Sequence, residues 1–232
     1  MALLAGSARA DPRLDEKVYL PYVEPHVLEL ETRWAREDGA SSTVVEVEYG
    51  LSDRLTLAAL GQTFHQPGRG QRLSGLGLEG VAYLGQIPGV GVDAGVYLEY
   101  RRGLAGEEDV AEGKLLLAKT VDRFQGALNL IVEKPVTAPK GQGAAAYGYA
   151  ASLTWRTLGN LRLGAEAFGD LGDDRGLGFG GAYVGPQVKW EGRPGHLPVE
   201  LAVDAGWLAA VGPARREGVG QARIGLEIER RF

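Results

Sequence analysis

The sequence has no cysteine, a single methionine and only three histidines among its 232 residues. Missing cysteine is compatible with export through an oxidising compartment, although many cytosolic proteins also lack it. Long hydrophobic runs are missing too, since no stretch approaches the roughly 18 to 20 unbroken apolar residues of a membrane-spanning helix. Any role in a membrane must therefore be played by strands or by the protein surface.

A basic patch is also absent. The net charge is -5, and no cluster of positive residues interleaved with aromatics indicates a nucleic-acid binder, so we expect no nucleic-acid partner. Glycine, in contrast, is abundant: the 36 glycines are about twice the usual frequency of about 7%. They follow no collagen period, which favours tight turns and close strand packing.

The last stretch, Val219 to Phe232, shows the dominant pattern of the chain. Ile224, Leu226, Ile228 and Phe232 lie at even positions, and charged or polar residues lie between them. A period of two describes a strand with one apolar and one polar face. The segment resembles the closing strand of Gram-negative outer-membrane β-barrel proteins, which commonly ends in Phe, although Arg230 departs from that pattern.

Similar alternation recurs along the chain, most cleanly from Val90 to Arg101. The region from Glu112 to Lys134 is ambiguous, because its apolar spacing also fits a helical stripe. Gly113, Gly126 and the alternation around Leu128 favour a hairpin that turns at residues 121–124.

The full pattern predicts about twelve strands of roughly ten residues, joined alternately by short turns and by longer polar loops such as His65 to Arg72 and Leu171 to Gly176. Strands of about 9 to 11 residues cross a bilayer at a tilt, and the sheet must close because unpaired backbone groups are costly in hydrocarbon. We therefore predict an all-β fold, an antiparallel up-and-down transmembrane β-barrel in the bacterial outer membrane. A soluble lipocalin-like barrel with the opposite layout shows the same alternation.

The amino terminus divides into two segments before the predicted barrel. Residues 1–10 resemble the end of a secretory signal peptide, with Ala8-Arg9-Ala10 in the small-x-small arrangement of a cleavage site. Residues 11–25, rich in proline, are expected to form an extended lead-in on the periplasmic side. Residues 26–232 are predicted to form the barrel.

If the apolar faces meet lipid, the charged faces line the lumen. The predicted lumen residues form either a solute path or an internal charge network; they are Glu29, Glu31, Arg33, Glu46, Glu48, Glu79, Asp93, Glu99, Arg101, Lys114, Glu133, Arg156, Arg162, Glu166, Glu200, Asp204, Arg223, Glu227 and Glu229. Carboxylates outnumber cations about two to one, which favours cations over anions in any pore. Buried charges must also pair and form hydrogen bonds, so the same residues are compatible with a filled lumen that conducts nothing.

Three stretches carry a more particular resemblance: residues 46–55, which contain the turn Gly50-Leu51-Ser52-Asp53-Arg54, then residues 129–133 and 163–169. They resemble outer-membrane transporters linked to the meta pathway of phenol degradation. The resemblance implies a barrel with a role in the uptake of small organic molecules and carries over no catalytic residues.

Enzymatic chemistry finds little support. Outer-membrane enzymes usually need a histidine beside a serine or an acid pair, whereas His26 and His196 lie next to prolines or turns and His65 is expected alone in an outer loop. We predict no enzyme activity, no cofactor and no metal site. The expected function is a passive channel for small cationic or aromatic and organic solutes; the expected partners are outer-membrane lipid, lipopolysaccharide and, through the strand ending at Phe232, the barrel assembly machinery. A non-conducting structural barrel is the alternative.

Overall fold

The computed structural model describes Leu14 and residues 16–139, 143–216 and 218–232. Twelve antiparallel strands follow one another around a closed barrel, with each strand paired to its neighbours in the chain. Their bounds are β1 (Val27–Glu37), β2 (Ala40–Gly50), β3 (Leu55–Gln66), β4 (Gly70–Ile87), β5 (Val92–Gly103), β6 (Val110–Val121), β7 (Phe124–Pro135), β8 (Ala146–Arg156), β9 (Leu161–Asp173), β10 (Gly176–Gly192), β11 (Glu200–Val211) and β12 (Gly220–Arg231). A short 3-10 helix (Gly212–Arg216) precedes β12. Among the described residues no helix has the length and apolar character needed to cross a membrane.

The closing strand has the role that its alternation predicts. β12 pairs with β11 on one side and with β1 on the other, in a register that places Trp34 opposite Ile224 and Leu30 opposite Ile228. At the end of this seam the Phe232 amide donates a 2.9 Å hydrogen bond to the His26 carbonyl. No sheet edge is left in the barrel wall, as the hydrocarbon environment requires.

The ambiguous region folds as the predicted hairpin. β6 and β7 pair along their whole length, from Val121 opposite Phe124 to Val110 opposite Pro135. Asp122 adopts a positive φ of 52° in the tight turn between them. Strand pairing therefore decides the conformation of a sequence whose apolar spacing also suits a helix.

The outer surface of the barrel is apolar and its interior is polar. Leu78, Leu98 and Leu153 point outward and are exposed by 68%, 64% and 59%, whereas the adjacent Glu79 is 5% exposed. A water-soluble barrel has the opposite arrangement, because it buries its apolar side chains. The protein is thus a transmembrane β-barrel whose outward apolar band faces lipid.

Two predicted loops are largely strand in the structure. β3 and β4 pair as far as Gln66 and Gly70, and β9 and β10 pair as far as Asp173 and Gly176. The expectation of loops over residues 65–72 and 171–176 was therefore wrong. Polar residues there are compatible with strands because the hairpins extend past the apolar band, where both faces of a strand meet water.

Candidate functional site

The predicted lumen residues fall into three groups by burial. Glu31, Glu46, Glu79, Lys114, Glu133 and Arg223 are buried in the barrel. Most of the others are partly buried; these are Glu29, Arg33, Glu48, Asp93, Glu99, Arg101, Arg162, Glu166, Asp204, Glu227 and Glu229. Arg156 and Glu200 are exposed, because they lie at strand ends beside the turns near the chain termini. Whether these residues form a solute path stays a prediction.

The N-terminal segment, which we define as residues 16–25, enters the lumen and is anchored there by its backbone. The Tyr19 amide donates a 2.7 Å hydrogen bond to Asn129 Oδ1, and Asn129 Nδ2 donates a 2.9 Å hydrogen bond to the Tyr19 carbonyl. Pro21 is fully buried and packs on Gly95, where an added Cβ would lie 2.9 Å from the Pro21 Cβ. One amide side chain thus holds the segment as a neighbouring strand would.

Ion pairs fasten the start of this segment to opposite walls. The Lys17 ammonium pairs with Glu31 on β1, and Lys114 Nζ on β6 lies 2.5 Å from Glu16 Oε1. Burial acts to lower the pKa of Lys17, but the carboxylates of Glu31 and Glu46 outweigh it and hold the pKa above its ordinary value. The ammonium therefore stays charged and the tether persists.

Two tyrosines form a second contact between the N-terminal segment and β5. The rings of Tyr19 and Tyr97 lie 4.5 Å apart, and both hydroxyls reach Glu79, at 3.3 and 2.8 Å. Lys114 Nζ lies over both rings, 4.5 and 4.7 Å from their centroids. Burial, reinforced by Glu79, raises the pKa of Tyr19 well above its ordinary value, so its phenol remains neutral and able to donate.

An apolar cluster fills another part of the lumen, which the sequence analysis expected to be lined by charge. Phe168, Tyr183 and Leu208 are at most 1% exposed and pack with Ile131 and other buried residues, while Val18 of the N-terminal segment packs against them. The alternation of the strands could have indicated this cluster. Phe168 lies two positions after the inward-facing Glu166, and Leu208 lies four positions after the inward-facing Asp204. The charged residues alone gave no indication of this apolar cluster.

Carboxylates crowd the opposite wall. Single oxygens of Glu46, Glu48 and Glu79 lie within 4.8 Å of one another, a spacing that would suit a bridging cation. Donors of the chain already occupy two of them: Arg33 Nη1 lies 3.2 Å from Glu46, and the Tyr97 hydroxyl donates to Glu79. Arg33 also contacts Glu31 at 2.9 Å. One guanidinium and one phenol thus contact the cluster and compensate part of its charge, as buried carboxylates require.

Among the described residues, two cavities lie beside the N-terminal segment. The larger, about 130 Å³, is bordered by β1 and by β7 to β12, with residues such as Thr154, Glu166 and Asp204. The smaller, about 30 Å³, lies mainly toward β5 and β6, beside Tyr97 and Lys114. Open space therefore lies on either side of the segment.

The structure covers the predicted segments unequally. The signal-like residues 1–10 lie outside the described residues, and of the predicted lead-in only Leu14 and residues 16–25 are described. The described part contacts lumen side chains, whereas its entry from the periplasmic side stays a prediction. His65, expected in an outer loop, lies instead in β3.

The Asn129 anchor leads to a prediction about local stability. Asn129→Ala removes both partners of the Tyr19 backbone and leaves buried groups unsatisfied, which costs about 1–3 kcal/mol. We expect the Tyr19 amide to exchange about 5- to 150-fold faster in hydrogen–deuterium exchange. Asn160→Ala, in the turn between β8 and β9, is the matched control and should leave this amide unchanged. Equal exchange in both variants would contradict the anchoring role.

Comparison with known proteins places the fold among bacterial channels. No protein-family model matches the sequence, and no curated protein matches it. The structure resembles an outer-membrane channel from Pseudomonas putida F1 (14% identity, 94% of this chain and 98% of that chain, TM-score 0.58). It also resembles the KdgM porin in complex with disordered oligogalacturonate (13% identity, 88% of this chain and 99% of that chain, TM-score 0.56). A third similar structure is the NanC porin (8% identity, 88% of this chain and 100% of that chain, TM-score 0.57).

Fold and surface together define the class of the protein. It is a twelve-stranded β-barrel with the fold of bacterial outer-membrane channels, as the sequence analysis predicted. Contact with lipopolysaccharide stays a prediction. The more particular resemblance to transporters of phenol degradation stays a prediction.

Proposed function

We propose that the protein is a passive outer-membrane channel for small solutes. The observation that supports this proposal most directly is the open space of about 130 Å³ between the N-terminal segment and a polar, charged wall. Polar lumen side chains replace the hydration of a solute and so lower the barrier to its passage. The similarity of the barrel to solved porins is compatible with this role.

A non-conducting structural barrel is the second candidate. Its support is the filling of the lumen by the N-terminal segment on one side and by the cluster around Phe168 and Leu208 on the other. In this case the charged residues neutralise one another and carry no solute.

Several features are proposed with the channel. We place the solute path among the predicted lumen residues and infer that the described N-terminal segment enters from the periplasmic side, after a signal peptide. We further propose that the barrel assembly machinery recognises β12 and Phe232, whose side chain is 68% exposed. The protein is proposed to have no enzyme activity. In support, His26 and His196 lie near the turns at the terminal end of the barrel, away from the lumen contacts described above.

Single-channel recording separates the two candidates. We expect the refolded barrel to give discrete openings in planar bilayers in KCl, because ions fit the remaining space beside the segment. The same protein unfolded by heat serves as the matched control and should give none. An intact barrel without openings, and without flux of small solutes in liposomes, would exclude the channel and favour the structural barrel.

A further inference from the structure

The wall of the larger cavity contains two carboxylates that have no partner among the described residues. Glu166 on β9 and Asp204 on β11 both border the cavity, and neither makes a hydrogen bond or ion pair within the part of the chain that the structure describes. Both are partly buried. Arg223 acts on Glu166 only through longer-range electrostatics. Two acidic side chains are therefore available to an occupant of this cavity.

The cations of the same wall are already engaged. Lys189 Nζ lies 3.2 Å from Glu227 and 3.3 Å from Glu191. Arg223 Nη2 donates a 2.9 Å hydrogen bond to Gln221, and its guanidinium lies 4.1 Å from the centroid of the Phe168 ring. The groups that lack a partner among the described residues of this wall are acidic, so a cation would pair with them.

Hydroxyl groups add hydrogen-bonding capacity to this cation site. Ser152 pairs with Glu166 across β8 and β9 and also borders the cavity. Thr154, two residues further along β8, has a buried Oγ1 without a partner among the described residues. A buried polar atom without a partner costs free energy unless water or a ligand satisfies it. An occupant with several N–H donors would meet these acceptors.

Gly225 gives the Asp204 carboxylate its place in this wall. The two residues are paired across β11 and β12, and Gly225 also borders the cavity. A Cβ added at Gly225 would lie 2.1 Å from Asp204 Oδ1, so a side chain there would collide with the carboxylate. The glycine therefore allows Asp204 to lie along the cavity wall.

We propose that this cavity is a binding site for small primary-ammonium solutes, with Glu166 and Asp204 as its charged acceptors and the hydroxyls of β8 beside them. This inference adds a solute class to the proposed channel function, and the site serves transport only if the protein is a channel. An ammonium group carries three N–H donors and one positive charge, which match two carboxylates and a hydroxyl. The volume of about 130 Å³ restricts the site to small solutes.

Isothermal titration of the detergent-solubilised barrel tests the site without any measurement of flux. Ethylammonium chloride is expected to bind saturably to the wild-type protein. Tetramethylammonium chloride, which has no N–H, and sodium acetate, which has the opposite charge, are expected not to bind. Equal binding of ethylammonium and tetramethylammonium, binding of acetate alone, or no saturable binding of ethylammonium would overturn the proposal.

Isosteric variants locate the site. Glu166→Gln and Asp204→Asn are each expected to weaken ethylammonium binding about 10- to 100-fold, since each removes a charged hydrogen-bond acceptor. Glu112→Gln, on the opposite wall beside the smaller cavity, removes the same charge and should leave the affinity unchanged. Unchanged affinity in both cavity variants, or an equal loss in Glu112→Gln, would overturn the assignment. If the barrel binds ethylammonium but shows no channel openings, only the channel function is refuted. If it shows channel openings but does not bind ethylammonium, only the binding site is refuted.

Discussion

Removal of residues 1–22 is expected to raise the single-channel conductance severalfold. This deletion takes out the buried Pro21 and the side chains of Lys17 and Tyr19, which occupy the lumen between β1, β5 and β7. Without them the two cavities on either side of the segment would merge into one wider path. Planar-bilayer recording in KCl measures the change.

The matched control is the shorter deletion of residues 1–13. It leaves Leu14 and residues 16–22, with the contacts described above, in place. We expect its conductance to equal that of the undeleted chain. If both deletions conducted alike, the segment would not be what obstructs the lumen, and the narrowing would belong to the barrel wall and the Phe168 cluster.

Leu78→Arg is expected to reduce the free energy of unfolding by about 2–4 kcal/mol, the cost of a cation at the lipid-facing midplane of a barrel. Leu78 lies near the middle of β4 and is the most exposed of the outward leucines in that strand. Denaturant unfolding of the barrel in phospholipid bilayers measures the difference.

Leu177→Arg provides the control for position. Leu177 is 80% exposed at the beginning of β10, at the end of the barrel away from the chain termini, where the same substitution costs only about 0–1 kcal/mol. A Leu78→Arg protein that kept full stability, and remained folded in water without detergent, would contradict a lipid-facing outer surface.

Most of the barrel was predictable from the alternation of its side chains. Each strand reveals its two faces in the sequence, as β12 does through Ile224 and Leu226, and the even strand number follows from counting. The limits of the hairpins at the far end were not predictable. Residues such as His65 and Asp173 have polar side chains that suit either a loop or a strand in water, so pairing with the neighbouring strand decided their conformation.

The contents of the lumen were only partly predictable. Strand parity placed Glu166, Asp204 and Lys114 inside, and it would also have placed Phe168 and Leu208 there had apolar residues been considered. No local pattern identified the N-terminal segment as an occupant of the lumen, because residues 16–25 have no alternation and lack strand partners in sequence. Its position depends on Asn129, which is 110 residues away in the chain.

The sequence by itself determined that this chain forms strands with one apolar and one polar face, since a period of two recurs along it. Tertiary structure decided that the apolar faces point outward. Tertiary structure alone decided which charges are paired and which are left over. Lys17 of the N-terminal segment pairs with Glu31 on β1, and Lys114 on β6 pairs with Glu16 of the same segment, whereas Glu166 and Asp204 border the larger cavity. Such pairing depends on where the N-terminal segment lies inside the barrel, which no local pattern of the sequence specifies.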